Sequence, residues 1–298
     1  MGALGLYEFV KLSDRCGYIK NPANVGVVSL GGGDVCLIDS GSDGEAARKI
    51  LKKIRENEWN VRCIINTHSN ADHTGGNQFI QSRTNCSVLS TDVECAIARN
   101  SYIEPSYLWG GRPYAELRNK FLMAKPTPKT KDLEANLPEG LQIIKLPGHY
   151  FDMVGIMACD GTCYIADAVF AEEIVRKYHI VFIYDVAKFL ETLDMLDTLE
   201  AKIFVPAHAE PSADIRALTA ANRAKVLEVA ELIYDICSEP ITFEKILKKL
   251  FDYYDLTMNH NQYVLVGSTV RSYIAYLHDG GRIDAEFIGN EMFWKKTN

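Results

Sequence analysis

The run Thr67-His68-Ser69-Asn70-Ala71-Asp72-His73-Thr74-Gly75-Gly76-Asn77 sets two histidines and an aspartate within six positions. It follows directly on an apolar stretch, 61–65, that reads as a buried strand. Packing does not explain such a cluster, because imidazole and carboxylate groups are rarely buried unless paired or ligated. Together those groups suit zinc or a neighbouring first-row ion. Three further candidates stand at the ends of later expected strands: His149 after Leu146-Pro147-Gly148, Asp167 after Tyr164-Ile165-Ala166, and His208 after Pro206-Ala207.

An α/β frame must position these residues. Stretches 25–30 and 35–38 are apolar runs separated by Gly31-Gly32-Gly33-Asp34, which reads as a hairpin. Asp39-Ser40-Gly41-Ser42-Asp43-Gly44 then breaks the strand. Ala46, Ile50, Leu51 and Ile54 recur at helical spacing over 45–57. Strand, helix, strand, then a polar loop places the histidine cluster at the carboxyl end of a strand. Helices are expected near 77–82 and 93–100, with a strand at 86–89 between them. Residues 101–132, with Tyr102, Tyr107 and Trp109, read as an excursion over a site mouth that would contact substrate. Strands follow at 141–146, 155–158, 162–165 and 202–205, with an amphipathic helix at 186–199.

The ordered set resembles the metallo-β-lactamase superfamily. Its first motif is His-x-His-x-Asp-His, followed by a lone His, a bridging Asp and a last His. Asp39 and Gly41 after an early strand, and Gly75-Gly76 after the cluster, fit as well. The match spans about residues 15–210, with all five motif regions in order. The resemblance implies a four-layer αββα sandwich over 1–212. It also implies zinc, one or two ions, with iron or manganese as alternatives. Carried over by position, His68, Asn70 and His149 belong to a first metal position. Asp72, His73 and His208 belong to a second, and Asp167 bridges the two. Asn70 is the departure, since it stands where the family has its second histidine. An amide oxygen is neutral, harder and usually weaker for zinc than imidazole. The second position is therefore expected to fill first.

The implied chemistry is attack by metal-activated water on a carbonyl or phosphorus centre. Asp72 is the candidate for a catalytic role beyond ligation, and Tyr150 and Tyr178 are weighed as oxyanion donors against structural roles. His179, His260 and His278 lack companions at ligand spacing and are read as surface or packing residues. The leading reading is a hydrolase of a small ester, thioester, lactam or phosphodiester. Alternatives are an iron-dependent redox enzyme of the same superfamily and a non-catalytic regulatory protein. Ala168-Val169-Phe170-Ala171-Glu172-Glu173 after Asp167 lacks the Gly- and Arg-rich stretch associated with glutathione-thioester hydrolases of the superfamily.

From residue 213 the texture changes to helices at 215–236, 243–253 and 263–277, then strands at 282–288 and 292–295 tipped by Gly289-Asn290. This outline resembles the winged-helix-like appendage of some superfamily members, giving a second domain over 213–298. Ten basic and twelve acidic residues in that tail, with only Arg271 on its third helix, leave no footprint for phosphates. A docking or homodimerisation role, or a pocket wall, is expected instead, with a small molecule as the substrate and no nucleic-acid partner. A net charge of −7 over 298 residues agrees in disfavouring nucleic acid and anionic membranes. Residues 1–6 show no secretory pattern, no apolar stretch approaches a bilayer span, and eight scattered cysteines fit a reducing, cytoplasmic setting. Cys159 and Cys163, flanking Asp160-Gly161, are read as buried thiols facing each other across a hairpin.

Overall fold

The computed structural model describes residues 5–297. Residues 1–4, which hold most of the stretch read for a secretory pattern, and residue 298 lie outside the described residues. β1 (Phe9–Lys11), β2 (Cys16–Ile19), β3 (Val25–Gly31) and β4 (Asp34–Ile38) pair antiparallel in sequence order. Helix α1 (Gly44–Glu56) then returns the chain, and β5 (Asn60–Ile65), β6 (Ser87–Ser90) and β7 (Thr130–Asp132) extend the same sheet in parallel. Between them lie the single turn α2 (Ala71–Thr74), α3 (Asn77–Thr84), α4 (Asp92–Arg99) and α5 (Ile103–Trp109).

Parity sorts the side chains, because successive strand residues face opposite sides of a sheet. Val27, Val35 and Leu37 point outward onto Ala47, Ile50, Leu51 and Ile54 of α1 and Ile80 of α3. Val28, Cys36 and Ile38 point the other way, into the space between the sheets. In β5 the parity slips at a bulge, where Val35 pairs with Val61 but Cys36 pairs with Cys63. Val61 and Ile64 therefore both pack outward while Cys63 and Ile65 pack inward. The apolar stripe of α1 explains its docking, and Asp43 starts it by accepting from Glu45 N and Ala46 N, each at 2.9 Å.

A second sheet, in the order β11-β10-β9-β8, comprises β8 (Leu141–Lys145), β9 (Val154–Ala158), β10 (Thr162–Phe170) and β11 (Ile203–His208). Helices α6 (Glu172–Tyr178) and α7 (Val186–Thr198) connect β10 to β11. Ile156, Tyr164 and Val205 meet the inner face of the first sheet. The close approach is made at Gly26, where a Cβ would stand 2.5 Å from the Tyr164 ring. The Tyr164 hydroxyl donates to Gly17 O across the same seam at 2.8 Å.

On the far side of the second sheet lie α7, α8 (Arg216–Ile236), α9 (Phe243–Tyr253) and α10 (His260–Asp279). The hairpin β12 (Ile283–Ile288) and β13 (Glu291–Lys296) completes the chain. Ile165, Phe189, Leu193, Val229, Ile233, Leu250, Tyr273 and Ile283 belong to one continuous buried cluster. The result is the expected helix–sheet–sheet–helix stack, with the tail's helices sharing the core of the outer layer.

Several expectations need correction. β1, β2 and β7 were not anticipated, and β10 runs nine residues rather than stopping at Ile165. Cys159 is exposed rather than buried, and Cys163 pairs with Met157, so the two thiols do not oppose each other. The other seven cysteines are buried and free. Among the described residues no helix is long and apolar enough to cross a membrane.

Candidate metal centre

Six of the seven metal candidates come from the carboxyl ends of strands, on both sheets. His68 and Asn70 follow β5, and Asp72 and His73 lie on the turn α2. His149 follows β8, and His208 is the last residue of β11. Asp167 lies inside β10 rather than beyond its end. The pairing of β10 with β11 shifts register on both sides of Ala166, whose φ of +47° kinks the strand without ending it. The α2 turn is held against the loop after β4 by a close backbone approach at Gly76. A Cβ there would lie 2.1 Å from Ser40 O, and Ser40 N donates to His73 O at 2.9 Å.

The four histidines share one hydrogen-bonding pattern. His149 Nδ1 donates to Phe182 O and His208 Nδ1 to Pro22 O, each at 2.9 Å. His73 Nδ1 donates to Asp39 Oδ2 at 2.8 Å. The Thr67 hydroxyl gives its only proton to Asp39 Oδ2, so its contact with His68 Nδ1 at 3.0 Å is a bond donated by the imidazole. Each neutral ring therefore turns a lone pair on Nε2 toward the same space. His73 Nε2 meets Asp167 Oδ1 at 3.2 Å, and His208 Nε2 meets Asp72 Oδ2 and Asp167 Oδ2, each at 3.3 Å. His149 Nε2 meets Asn70 Oδ1 at 3.2 Å and Asp167 Oδ2 at 3.5 Å.

With neutral rings these contacts set acceptor against acceptor, which a bound cation, or a proton on Nε2, relieves. His68 Nε2, His73 Nε2 and Asp167 Oδ1 are buried with no hydrogen-bond partner. Ligand atoms of His68, His73 and Asp167 lie within 4.8 Å of one another, and so do those of Asp72, His73 and His208. An imidazole and carboxylate set of this kind fits zinc or a similar first-row ion.

The charge balance agrees. Burial raises the Asp167 carboxyl, but His208, His73 and His149 outweigh it and hold the group well below its usual range. Asp72 is likewise lowered, its burial overcome by His73 and His208. Burial alone would depress His73 and His208, yet the Asp167 and Asp72 carboxylates raise both, His208 to about 10. His68 and His149 are pushed down, chiefly by burial. With its side chain 42% exposed, Asp72 is the most open of the carboxylates facing these imidazoles.

A supporting layer surrounds the seven. Asp39, buried at a φ of +67°, accepts from Thr67 N, Thr67 Oγ1 and His73 Nδ1. Glu94 on α4 accepts from Ser69 N and Asp152 N at 2.9 Å and from Ser69 Oγ at 2.6 Å, tying the β5 and β8 loops together. Burial pushes its carboxyl up to about 7 against those three donors. Glu104 on α5 accepts from Asn70 Nδ2 at 2.7 Å. The sequence reading missed both glutamates. A signal was present at Glu94, which shares the buried stripe of α4 with Cys95, Ile97 and Ala98.

Other candidates fall elsewhere. Tyr150 is buried beside His68, ring centroids 5.7 Å apart, with its hydroxyl unpartnered. Tyr178 is exposed at the end of α6, its ring under Lys177. His179 stacks on Tyr254, His260 bonds Tyr114, and His278 is exposed. The excursion 101–132 packs Leu108, Leu117 and Leu122 on Val264 of α10. Beside it a cleft of about 730 Å³ is lined by Tyr107, Trp109, Tyr184, Arg271, Ser272 and Tyr276, among others, and by none of the seven metal candidates.

Residues 19–208, more than half of the chain, match the profile of the metallo-β-lactamase superfamily. A probable metallo-hydrolase of Methanocaldococcus jannaschii is 28% identical over 142 residues, covering 47% of this chain and 65% of that protein. A hydroxyacylglutathione hydrolase of Rhodospirillum rubrum is 27% identical over 89 residues, 30% of each chain. The matched segments thus span less than two thirds of either relative. A β-lactamase domain protein from Burkholderia ambifaria shares the fold, with a TM-score of 0.73 at 17% identity over 98% of this chain and 94% of that one.

Proposed function

The chain belongs to the metallo-β-lactamase superfamily, and from that membership we propose that it is a metal-dependent hydrolase of a small ester, thioester, lactam or phosphodiester. The observation that carries this reading is the convergence of Nε2 of His68, His73, His149 and His208 on the carboxylates of Asp72 and Asp167 and the amide oxygen of Asn70. His68, His149 and Asn70 would hold one ion, Asp72, His73 and His208 a second, and Asp167 would face both. When bound, zinc supplies Lewis-acid polarisation of a substrate oxygen and brings the ionisation of a water near neutral pH.

The chain's own groups do the rest. Phe182 O, Pro22 O, Asp39 and Thr67 hold the four Nδ1 protons, so each ring keeps its Nε2 facing inward throughout a turnover. Asp72, the most open of the facing carboxylates, would ligate through Oδ2 and orient the attacking water. The relatives' printed names, metallo-hydrolase and hydroxyacylglutathione hydrolase, support hydrolysis of an ester or thioester within this range. The excursion 101–132 reaches the first metal position through Glu104, which accepts from Asn70.

The test is zinc content of the purified protein, with and without Asn70→His, alongside turnover of a panel of aryl esters, thioesters, lactones and bis-aryl phosphodiesters. About two zincs per chain, with hydrolysis of at least one class falling about 100-fold or more in Asp72→Asn, is the expected result. A protein that retains neither zinc nor hydrolysis would refute the reading.

A further inference from the structure

Glu104 is a buried carboxylate whose one hydrogen-bond partner among the described residues is Asn70 Nδ2. No cation among the described residues pairs with it, so the Asn70 amide is the group its Oε1 answers. An asparagine amide has two unlike ends, an oxygen that can face a cation and an NH2 that cannot. Which end faces the metal position depends on what holds the other. Glu104 Oε1 stands 2.7 Å from Nδ2, and Asn70 Oδ1 stands 3.2 Å from His149 Nε2. Rotating the amide by half a turn would take NH2 away from Glu104 Oε1 and point it at the cation.

We propose that Glu104 is a positioning residue that turns Asn70 into a metal ligand, by fixing its amide so that Oδ1 faces the first metal position. The proposal rests on the metal-dependent reading above. It supplies what a departure from histidine at residue 70 lacks. An imidazole presents a lone pair once its other nitrogen is tied, whereas an amide needs an acceptor to decide between its ends. α5, carried by the excursion 101–132, brings that acceptor from 34 residues away.

The experiment is zinc binding by chelator competition in the full chain for wild type, Glu104→Leu, Glu104→Gln, Asn70→His and the double variant Asn70→His/Glu104→Leu. Glu104→Leu is expected to weaken the looser zinc about 10–100-fold. Glu104→Gln, which keeps an acceptor oxygen, should stay close to wild type. In the Asn70→His background, Glu104→Leu should cost nothing, because imidazole does not need the amide fixed. Equal losses in both backgrounds would mean that Glu104 only supports the loop, and would overturn the proposal. So would a Glu104→Leu protein that binds both zincs as tightly as wild type. Should Glu104→Leu fail to fold, the side-chain NH2 of Asn70 in the zinc-bound wild type decides. Its NMR signal, assigned by its absence from Asn70→His, exchanges slowly if held on Glu104, and fast exchange overturns the proposal. A wild type that binds no zinc refutes the metal-dependent reading itself, and a wild type that binds zinc while Glu104 proves irrelevant refutes only this step.

Discussion

Asp39→Asn changes one atom in a buried carboxylate and should be felt at both metal positions. Asp39 Oδ1 accepts from Thr67 N at 2.9 Å, while Oδ2 accepts from Thr67 Oγ1 at 2.9 Å and from His73 Nδ1 at 2.8 Å. An amide has one acceptor oxygen. Kept at the Oδ2 position, it retains two bonds but sets NH2 against the Thr67 N–H. Losing the charge weakens each retained bond by about 1 kcal/mol, since bonds to ionised groups are roughly twice as strong as neutral ones. The buried amide left without an acceptor costs about 1–3 kcal/mol more. The sum, about 3–5 kcal/mol, corresponds to about 6–10 °C in the unfolding temperature of a chain of this size. Because the bond to His73 also fixes which nitrogen is free, zinc affinity should fall as well, about 10–100-fold. Urea unfolding of chelator-treated protein and zinc competition read the two effects separately. A variant within about 1 kcal/mol of wild type, with zinc affinity intact, would refute the account of Asp39 as the anchor of both loops.

Three further outcomes are expected. Gly76→Ala puts a methyl 2.1 Å from Ser40 O; urea unfolding should show a loss of about 1–3 kcal/mol, with zinc affinity lowered as α2 is displaced. Tyr164→Phe removes the hydroxyl bonded to Gly17 O and Val27 O, and calorimetry should register about 1 kcal/mol while turnover at saturating zinc stays unchanged. Stripping metal with a chelator should lower the unfolding temperature, because zinc bound only by the folded chain adds about 2.7 kcal/mol at one hundred times its dissociation constant; a temperature that ignores added zinc would contradict this.

Six of the seven candidates, His68, Asp72, His73, His149, Asp167 and His208, stood out because their types are rare inside a core and they stand close behind apolar runs, whereas Asn70 was reached only through its place in the family motif. Their order along the chain then carried the family resemblance. The αββα layering came with that resemblance, while the apolar runs of 25–38 and the helical stripe of 45–57 showed only an α/β rhythm. What stayed hidden has physical reasons. β1 and β2 have three and four residues, too few for alternation to stand out. β10 continues past Ile165 because its bulges at Ala166 bend it without breaking it, and no glycine or proline marks the place. Cys159 was misread because a turn flanked by thiols suggests a facing pair only if the register is symmetrical, and here Met157 takes the facing position. Glu104 meets Asn70 through a tertiary contact that no local pattern encodes.

The unbroken apolar cluster beneath the second sheet has a consequence for modularity. Phe189 and Leu193 on α7 lie in the same cluster as Val229 and Ile233 on α8 and Tyr273 on α10, so helices from either side of residue 212 share one apolar core. A chain cut there would uncover the face that α8 to α10 now cover, and a foreign segment spliced on would have to reproduce that relief side chain by side chain. Since α10 also walls the cleft beside residues 101–132 and packs against Leu108 and Leu117, any recombination that exchanged the tail would reshape that cleft as well. The segments before and after residue 212 are thus held to one another's shape by a single packed core.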